Sequence, residues 1–217
     1  MKNIICIFAK PPFAGKTKSR LAKTIGSTSA AELSAAMLKD IITQSLAVIN
    51  AEVYIAYPPQ SMPDEFATIH QPGINYIVQQ GDNLGKRMAN IFQIFLKSKH
   101  ADKAIIIGSD CITTSTASLN NAFKKLTEVP IVLGPARDGG YILVGQSSFT
   151  PGMFMNIDWG SSKVMNQTTI LLDGASIKYY QMSPSFDIDR HEDLVELVTF
   201  LKANPRPFTA KALKSWL

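Results

Sequence analysis

Four cations, Lys10, Lys16, Lys18 and Arg20, fall within eleven positions, directly after the apolar run Ile4-Ile5-Cys6-Ile7-Phe8. A continuous run rich in β-branched residues suits a strand buried on both faces. Pro11 and Pro12 stop that strand, and Gly15 permits a tight turn. A loop of cations at the carboxyl end of a buried strand is where an α/β protein binds phosphate; a solvated basic loop is the plainer alternative. Gly15-Lys16-Thr17 matches the end of a P-loop, but Lys10 stands where its first glycine is needed. The two prolines also remove N–H groups that a phosphate nest requires.

Carboxylates recur at comparable places. Asp110, in Gly108-Ser109-Asp110, follows the buried run Ala104-Ile105-Ile106-Ile107. A single carboxylate there suits Mg2+ or Mn2+, which take one or two protein carboxylates plus water and substrate phosphates; it equally suits a cap on the next helix. Asp138-Gly139-Gly140-Tyr141 lets backbone approach a ligand closely, with Asp138 as acceptor and Tyr141 for stacking or hydrogen bonding, or else it is a hairpin turn. Asp187 and Asp189 flank Ile188 at strand spacing, so one carboxylate can complete a metal site while the other caps the helix running from His191. Trp159, before Gly160-Ser161-Ser162 and a helix, either meets ligand or packs.

Composition narrows the classes. The 217 residues are 46% hydrophobic, enough for one large domain spanning 1–217, and no linker, repeat or low-complexity segment divides them. Apolar runs fall far short of the roughly 20 residues of a membrane span, and the first residues lack a signal-peptide layout, so a soluble cytoplasmic protein is expected. Cys6 and Cys111 give neither a disulfide framework nor zinc spacing. The net charge of +5 is dispersed outside the first loop and not interleaved with aromatics, which argues for an anionic small molecule over nucleic acid. His70, His100 and His191 match no ligand or triad spacing, and no G-x-S-x-G, H-E-x-x-H or G-x-G-x-x-G occurs.

The elements that must position these residues follow from periodicity. After the basic loop, Ser29 to Glu32 reads as a capping box opening a long helix to Asn50, with Leu33, Met37, Ile41 and Val48 on one face. Strands are expected at 52–57, 75–78, 103–108, 129–134, 141–145 and 176–182. Asn83 should cap a helix carrying Leu84, Met88, Phe92 and Phe95; further helices are expected at 115–126, from Ser161 or Ser162 to Leu172, from about Leu194 to Asn204, and at 208–217, packed by Phe208, Leu213 and Trp216. Only a short glycine-rich turn separates the fifth and sixth strands, so they pair antiparallel or splay, and the sheet is mixed.

The ordered set Phe8-Ala9-Lys10-Pro11, Gly15 to Leu21, Gln80 with Leu84 to Met88, Gly108-Ser109-Asp110, Leu133 to Tyr141, Asp158-Trp159 and Phe186 to Asp189 resembles the DUF2064 group of GT-A-type glycosyltransferases, in the nucleotide-diphospho-sugar transferase superfamily. The resemblance spans Ile4 to about Leu201. It implies a Rossmann-like three-layer α/β/α sandwich with a mixed, mostly parallel sheet, a nucleotide at the first loop and a divalent metal at Asp110. Many GT-A enzymes place two aspartates around one residue; this chain has one, so Asp187 is the second metal ligand to test. Lys10-Pro11-Pro12 replaces the glycine-rich loop of the pyrophosphorylase relatives. That ranks glycosyl transfer from an NDP-sugar to a small-molecule acceptor ahead of nucleotidyl transfer from an NTP, and both ahead of a catalytically inactive nucleotide-binding protein. On this reading Lys10, Lys16, Arg20, Gln80 and Arg87 hold the nucleotide. Gly139, Gly140, Tyr141 and Trp159 meet the substrate, with Asp138 as general base.

Overall fold

In the computed structural model, which describes residues 2–214, the first apolar run becomes β1 (Asn3–Phe8), with Ile4, Ile5, Cys6 and Ile7 wholly buried. Ile5 and Ile7 enter one apolar cluster with Leu38, Ile41, Val53 and Ile55; Ile4 and Cys6 enter another with Phe92, Phe95 and Ile106. The strand period of two therefore serves two cores, one on each face of the sheet, which is why the run shows no polar alternation. Burying each such side chain stabilises the fold by about 1.5–3 kcal/mol.

β1 pairs in parallel with β2 (Ala51–Tyr57) on one side and β4 (Lys103–Gly108) on the other, Phe8 lying opposite Ala56 and Gly108. β3 (Ile74–Val78) extends the sheet in parallel beyond β2. On the far side β6 (Tyr141–Gln146) runs antiparallel to both β4 and β5 (Ile131–Pro135), and β7 (Tyr179–Gln181) joins β5 in parallel. The order β3-β2-β1-β4-β6-β5-β7 reverses direction of winding between β1 and β4, which is where open α/β sheets bind ligands. The loops after β1, β2, β3, β4 and β7 and the turn that joins β5 to β6 all gather on this edge.

Gly26, at φ 85°, separates α1 (Ser19–Ile25) from α2 (Ser27–Leu46). This corrects the expected capping box: α2 starts before Ser29, with Gly26 as its N-cap and no side-chain cap bond. It also ends at Leu46 rather than Asn50, because Asn50 turns at φ 60° into β2. A 3₁₀ turn (Pro63–Ile69) links β2 to β3. α3 (Leu84–Phe92) has the expected cap, Asn83 Oδ1 accepting the Lys86 N–H at 2.9 Å, and its last turn widens over Gln93–Lys97.

α4 (Thr116–Lys125) covers the first core, and α5 (Val164–Gly174) adds Leu172 to the second. β5 starts later than expected because the Val129 N–H still bonds the Lys125 carbonyl. β7 is shorter than 176–182, since Ser176 turns at φ 56° and the Ile177 N–H returns to Leu172. α6 (Asp193–Ala203) is not capped by Asp189; the Asp193 carboxylate accepts the N–H groups of Asp189 and Arg190 at 2.8 and 2.7 Å. α7 (Pro207–Lys214) carries buried Leu213, and the expected contribution of Trp216 lies outside the described residues. A third cluster, including Leu21, Met37, Ile112, Ile188, Leu197 and Leu213, fastens α1, α2, α6 and α7 to the loop after β4.

Candidate active site

At the reversal of the sheet lies a cavity of about 380 Å³, with Lys10, Lys16, Lys18, Arg87 and Asp110 among its walls. Lys10 and Lys16 come from the loop after β1, held by Ala9 N–H bonding the Ala56 carbonyl at 3.1 Å and Lys16 N–H bonding the Phe13 carbonyl at 3.1 Å. Arg87 comes from α3, where its Nε donates to the Gly81 carbonyl at 3.0 Å. Among the described residues none of these three side chains meets a carboxylate, so three positive charges face one concavity without internal compensation. Thr17 does not behave as a P-loop threonine: its hydroxyl lies 3.2 Å from that of Ser34 on α2.

Lys18 is the buried centre of the loop. Its backbone is left-handed (φ 49°, ψ 46°) immediately before α1, and its side chain is 2% exposed. The ammonium lies 2.6 Å from Asp110 Oδ1 and donates to the Ile188 carbonyl. Ile188 N–H in turn reaches the Asp110 carbonyl at 3.4 Å. One lysine thus ties together the loop after β1, the end of β4 and the segment after β7. The expected diphosphate ligand Arg20 sits differently, its Nη1 2.7 Å from Asp189 Oδ2 in an exposed ion pair at the cavity rim.

Asp187 is brought to the same place. Its carboxyl is raised from the ordinary aspartate value, chiefly by burial and further by the charges of Asp138 and Asp110, while a backbone hydrogen bond at Asp187 and the charge of Lys18 oppose the rise. Burial also pushes the Cys111 thiol well up, and the Asp110 and Asp187 charges push it further. Asp138 Oδ1 accepts the Gly140 N–H at 2.9 Å, so the turn fixes its carboxylate. Gly139 is required at φ 89°, where a β-carbon would come within 2.1 Å of the Ser162 carbonyl oxygen; its own carbonyl accepts the Met165 N–H at 2.8 Å.

Other expected residues part company. Gln80 is exposed, and its neighbour Gln79 is the buried one that lines the cavity, its Nε2 donating to the Ala56 carbonyl at 2.6 Å. Tyr141 borders a smaller cavity of about 110 Å³ that shares Phe8 and Leu84 with the first, and burial pushes its phenol up. Trp159 lies edge-on to Tyr141, with ring centroids 6.2 Å apart, and covers Gly85.

The sequence places Lys18 among the loop cations without showing its tie to Asp110, and nothing in it singles out Gln79 or Arg206. The Arg206 guanidinium, nearly buried, donates to the carbonyls of Ile112 and Thr114 at 3.2 and 3.0 Å, bracing the loop that follows Asp110. Among the described residues no three His, Cys, Asp or Glu side chains are grouped to hold a metal. Asp110, paired with Lys18, and Asp187, whose carboxyl feels the charges of Asp110 and Asp138, are nevertheless the donors that suit a hard divalent ion needing only one or two protein carboxylates.

The family model described as "Uncharacterized protein conserved in bacteria (DUF2064)" matches residues 41–161, more than half of the chain. The chain belongs to the DUF2064 family. Its fold is that of a protein from Desulfovibrio desulfuricans G20 provisionally named a nucleotide-diphospho-sugar transferase, with a TM-score of 0.91 and 29% identity over 99% of this DUF2064 chain and 95% of that one. The 4-diphosphocytidyl-2C-methyl-D-erythritol synthase of Anaerococcus prevotii DSM 20548 shares the fold at a TM-score of 0.60 and 10% identity, over 93% and 96% of the two chains. So does Rv0371C of Mycobacterium tuberculosis H37Rv, solved in complex with manganese, at 0.53 and 12%, over 92% and 99%. No curated protein matches the DUF2064 chain significantly. No helix among its described residues is long and apolar enough to cross a membrane.

Proposed function

We propose that this protein is a metal-dependent transferase acting on a nucleotide-activated donor, with glycosyl transfer from an NDP-sugar to a small hydroxyl-bearing acceptor as its reaction. The observation that carries the reading is the cavity at the sheet reversal, where Lys10, Lys16 and Arg87, without carboxylate partners among the described residues, share the walls with Asp110. A diphosphate supplies the missing negative charge, and charge-assisted bonds to it are strong and directional. The seven strands of the described residues form one sheet, which supports a single domain over 1–217.

Asp110, with Asp187 as its second carboxylate, would hold Mg2+ or Mn2+, and the manganese complex of the distant relative Rv0371C is in keeping with this. An ion held there would neutralise charge on the diphosphate leaving group. Lys10 and Lys16 orient and neutralise the phosphates, and Gln79 and Arg87 close the nucleoside end. Asp138, with Oδ1 fixed by the Gly140 N–H, takes the acceptor's proton on its remaining oxygen.

The named likeness to a diphosphocytidyl synthase keeps nucleotidyl transfer as the second reading. The test is product analysis over a panel of NDP-sugars and NTPs with Mn2+ and a mixture of small alcohols and phosphates. Release of the nucleoside diphosphate supports glycosyl transfer, and pyrophosphate from an NTP supports the second reading. Tight nucleotide binding with no donor consumed would overturn both in favour of a binding protein.

A further inference from the structure

We infer that Lys18 is a built-in competitor for the cation at Asp110, so that a divalent metal enters together with the phosphate-bearing donor and not before it. This rests on the reading of Asp110 as a metal ligand, and concerns what the protein does with that carboxylate until the donor arrives. Lys18 Nζ is 2.6 Å from Asp110 Oδ1 and also bonds the Ile188 carbonyl. The lysine side chain is 2% exposed and the aspartate side chain 46% exposed, so the carboxylate is held from its buried side and open on the other.

The fold keeps the ammonium there. Lys18 occupies the left-handed region, which a non-glycine residue adopts only at a cost, and wholly buried Leu21 anchors the helix that follows. A divalent ion sharing Asp110 meets a fixed positive charge at close range, and burial leaves that repulsion poorly screened. The donor reverses the balance. Lys18 also lines the cavity that holds Lys10 and Lys16, so phosphate oxygens arriving there become alternative partners for its ammonium and free the carboxylate oxygen. Metal and nucleotide must then strengthen each other's binding by the same factor.

The test uses Mn2+ alone as probe, with free ion followed by electron paramagnetic resonance. Lys18→Gln keeps an N–H donor for the Ile188 carbonyl and removes the charge, and it is expected to bind Mn2+ at least about tenfold more tightly than wild type. Lys18→Arg keeps the charge and should gain nothing, and Asp110→Asn should cancel the gain of Lys18→Gln. Wild-type protein supplies an arm independent of any variant's folding: its Mn2+ affinity should rise about tenfold or more in the presence of whichever of UDP, CDP or GDP binds. A folded Lys18→Gln with wild-type affinity, a gain that survives Asp110→Asn, or wild-type protein binding Mn2+ equally well without nucleotide would each overturn the inference while leaving a metal site at Asp110. Absence of Mn2+ binding in every variant, with and without nucleotide, would overturn the metal reading and this inference with it.

Discussion

The indole of Trp159 occupies the space a side chain at Gly85 would need: a β-carbon there would lie 2.7 Å from Trp159 Nε1. This contact joins the first turn of α3, which carries Arg87, to the segment that clamps the Gly139-Gly140 turn. Gly85→Ala is expected to destabilise the protein by about 1–3 kcal/mol through overpacking, despite alanine's better helix propensity. Trp159→Leu should recover part of that loss in the double variant. Urea denaturation of the four proteins checks it; additive losses would show that the two residues do not share the space.

Lys10 and Lys16 have no carboxylate partner among the described residues, whereas Arg20 is paired with Asp189 at 2.7 Å. Lys16→Ala should therefore weaken binding of a nucleoside diphosphate by about 1.5–3 kcal/mol, the range for hydrogen bonds to charged groups, with stability within about 0.5 kcal/mol of wild type. Arg20→Ala should cost less affinity, because its exposed pair already compensates its charge, and such pairs contribute about 1 kcal/mol or less to stability. Calorimetric titration of both variants decides the order. A larger loss at Arg20 than at Lys16 would return Arg20 to the phosphate site.

How far the site was legible follows from the range of the forces involved. The runs that became β1 and β4 are continuous because both faces are buried, and Asn83 marks its helix by a local bond, so sequence alone located them. Gln79 and Gln80 are adjacent, and the choice between them depends on where β3 ends: the Gln79 N–H still bonds the Tyr57 carbonyl, which keeps its side chain in the cavity. Arg20 and Asp189, and Lys18 and Ile188, are joined across most of the chain, and no local pattern announces such partners. Asp189 had the spacing of a cap, but Asp193, one turn on, supplies those bonds instead.

Arg206 makes the same point energetically. It sits in the link between α6 and α7, yet it satisfies two carbonyls of the loop after Asp110. Arg206→Met should cost about 2–4 kcal/mol, because the carbonyls of Ile112 and Thr114 lose charge-assisted donors in a buried place. Faster amide exchange at 110–114 than in α5 should accompany the loss. Uniform acceleration across both segments would mean that Arg206 supports the fold at large and not this loop.

Asp187 sets the expected pH response. Its folded-state carboxyl is raised above the ordinary value by burial first, then by Asp138 and Asp110. Between the unfolded and folded values the native state binds more protons than the unfolded chain, so stability falls as pH rises through that window. The penalty is absent below the ordinary carboxylate range and constant once Asp187 is ionised in both states. Asp187→Asn removes the titrating group while keeping its size, so the variant should gain thermal stability over wild type at pH 7 and lose that advantage at about pH 3.5, below the reference aspartate value. Added Mn2+ with a bound nucleoside diphosphate should reverse the order at pH 7, since the cation favours the charged carboxylate and the amide is a poorer ligand. Melting curves of the two proteins from pH 3.5 to 8, with and without that addition, measure both effects. An advantage for Asp187→Asn that does not change with pH would show that the charge of Asp187 is not what destabilises the empty site.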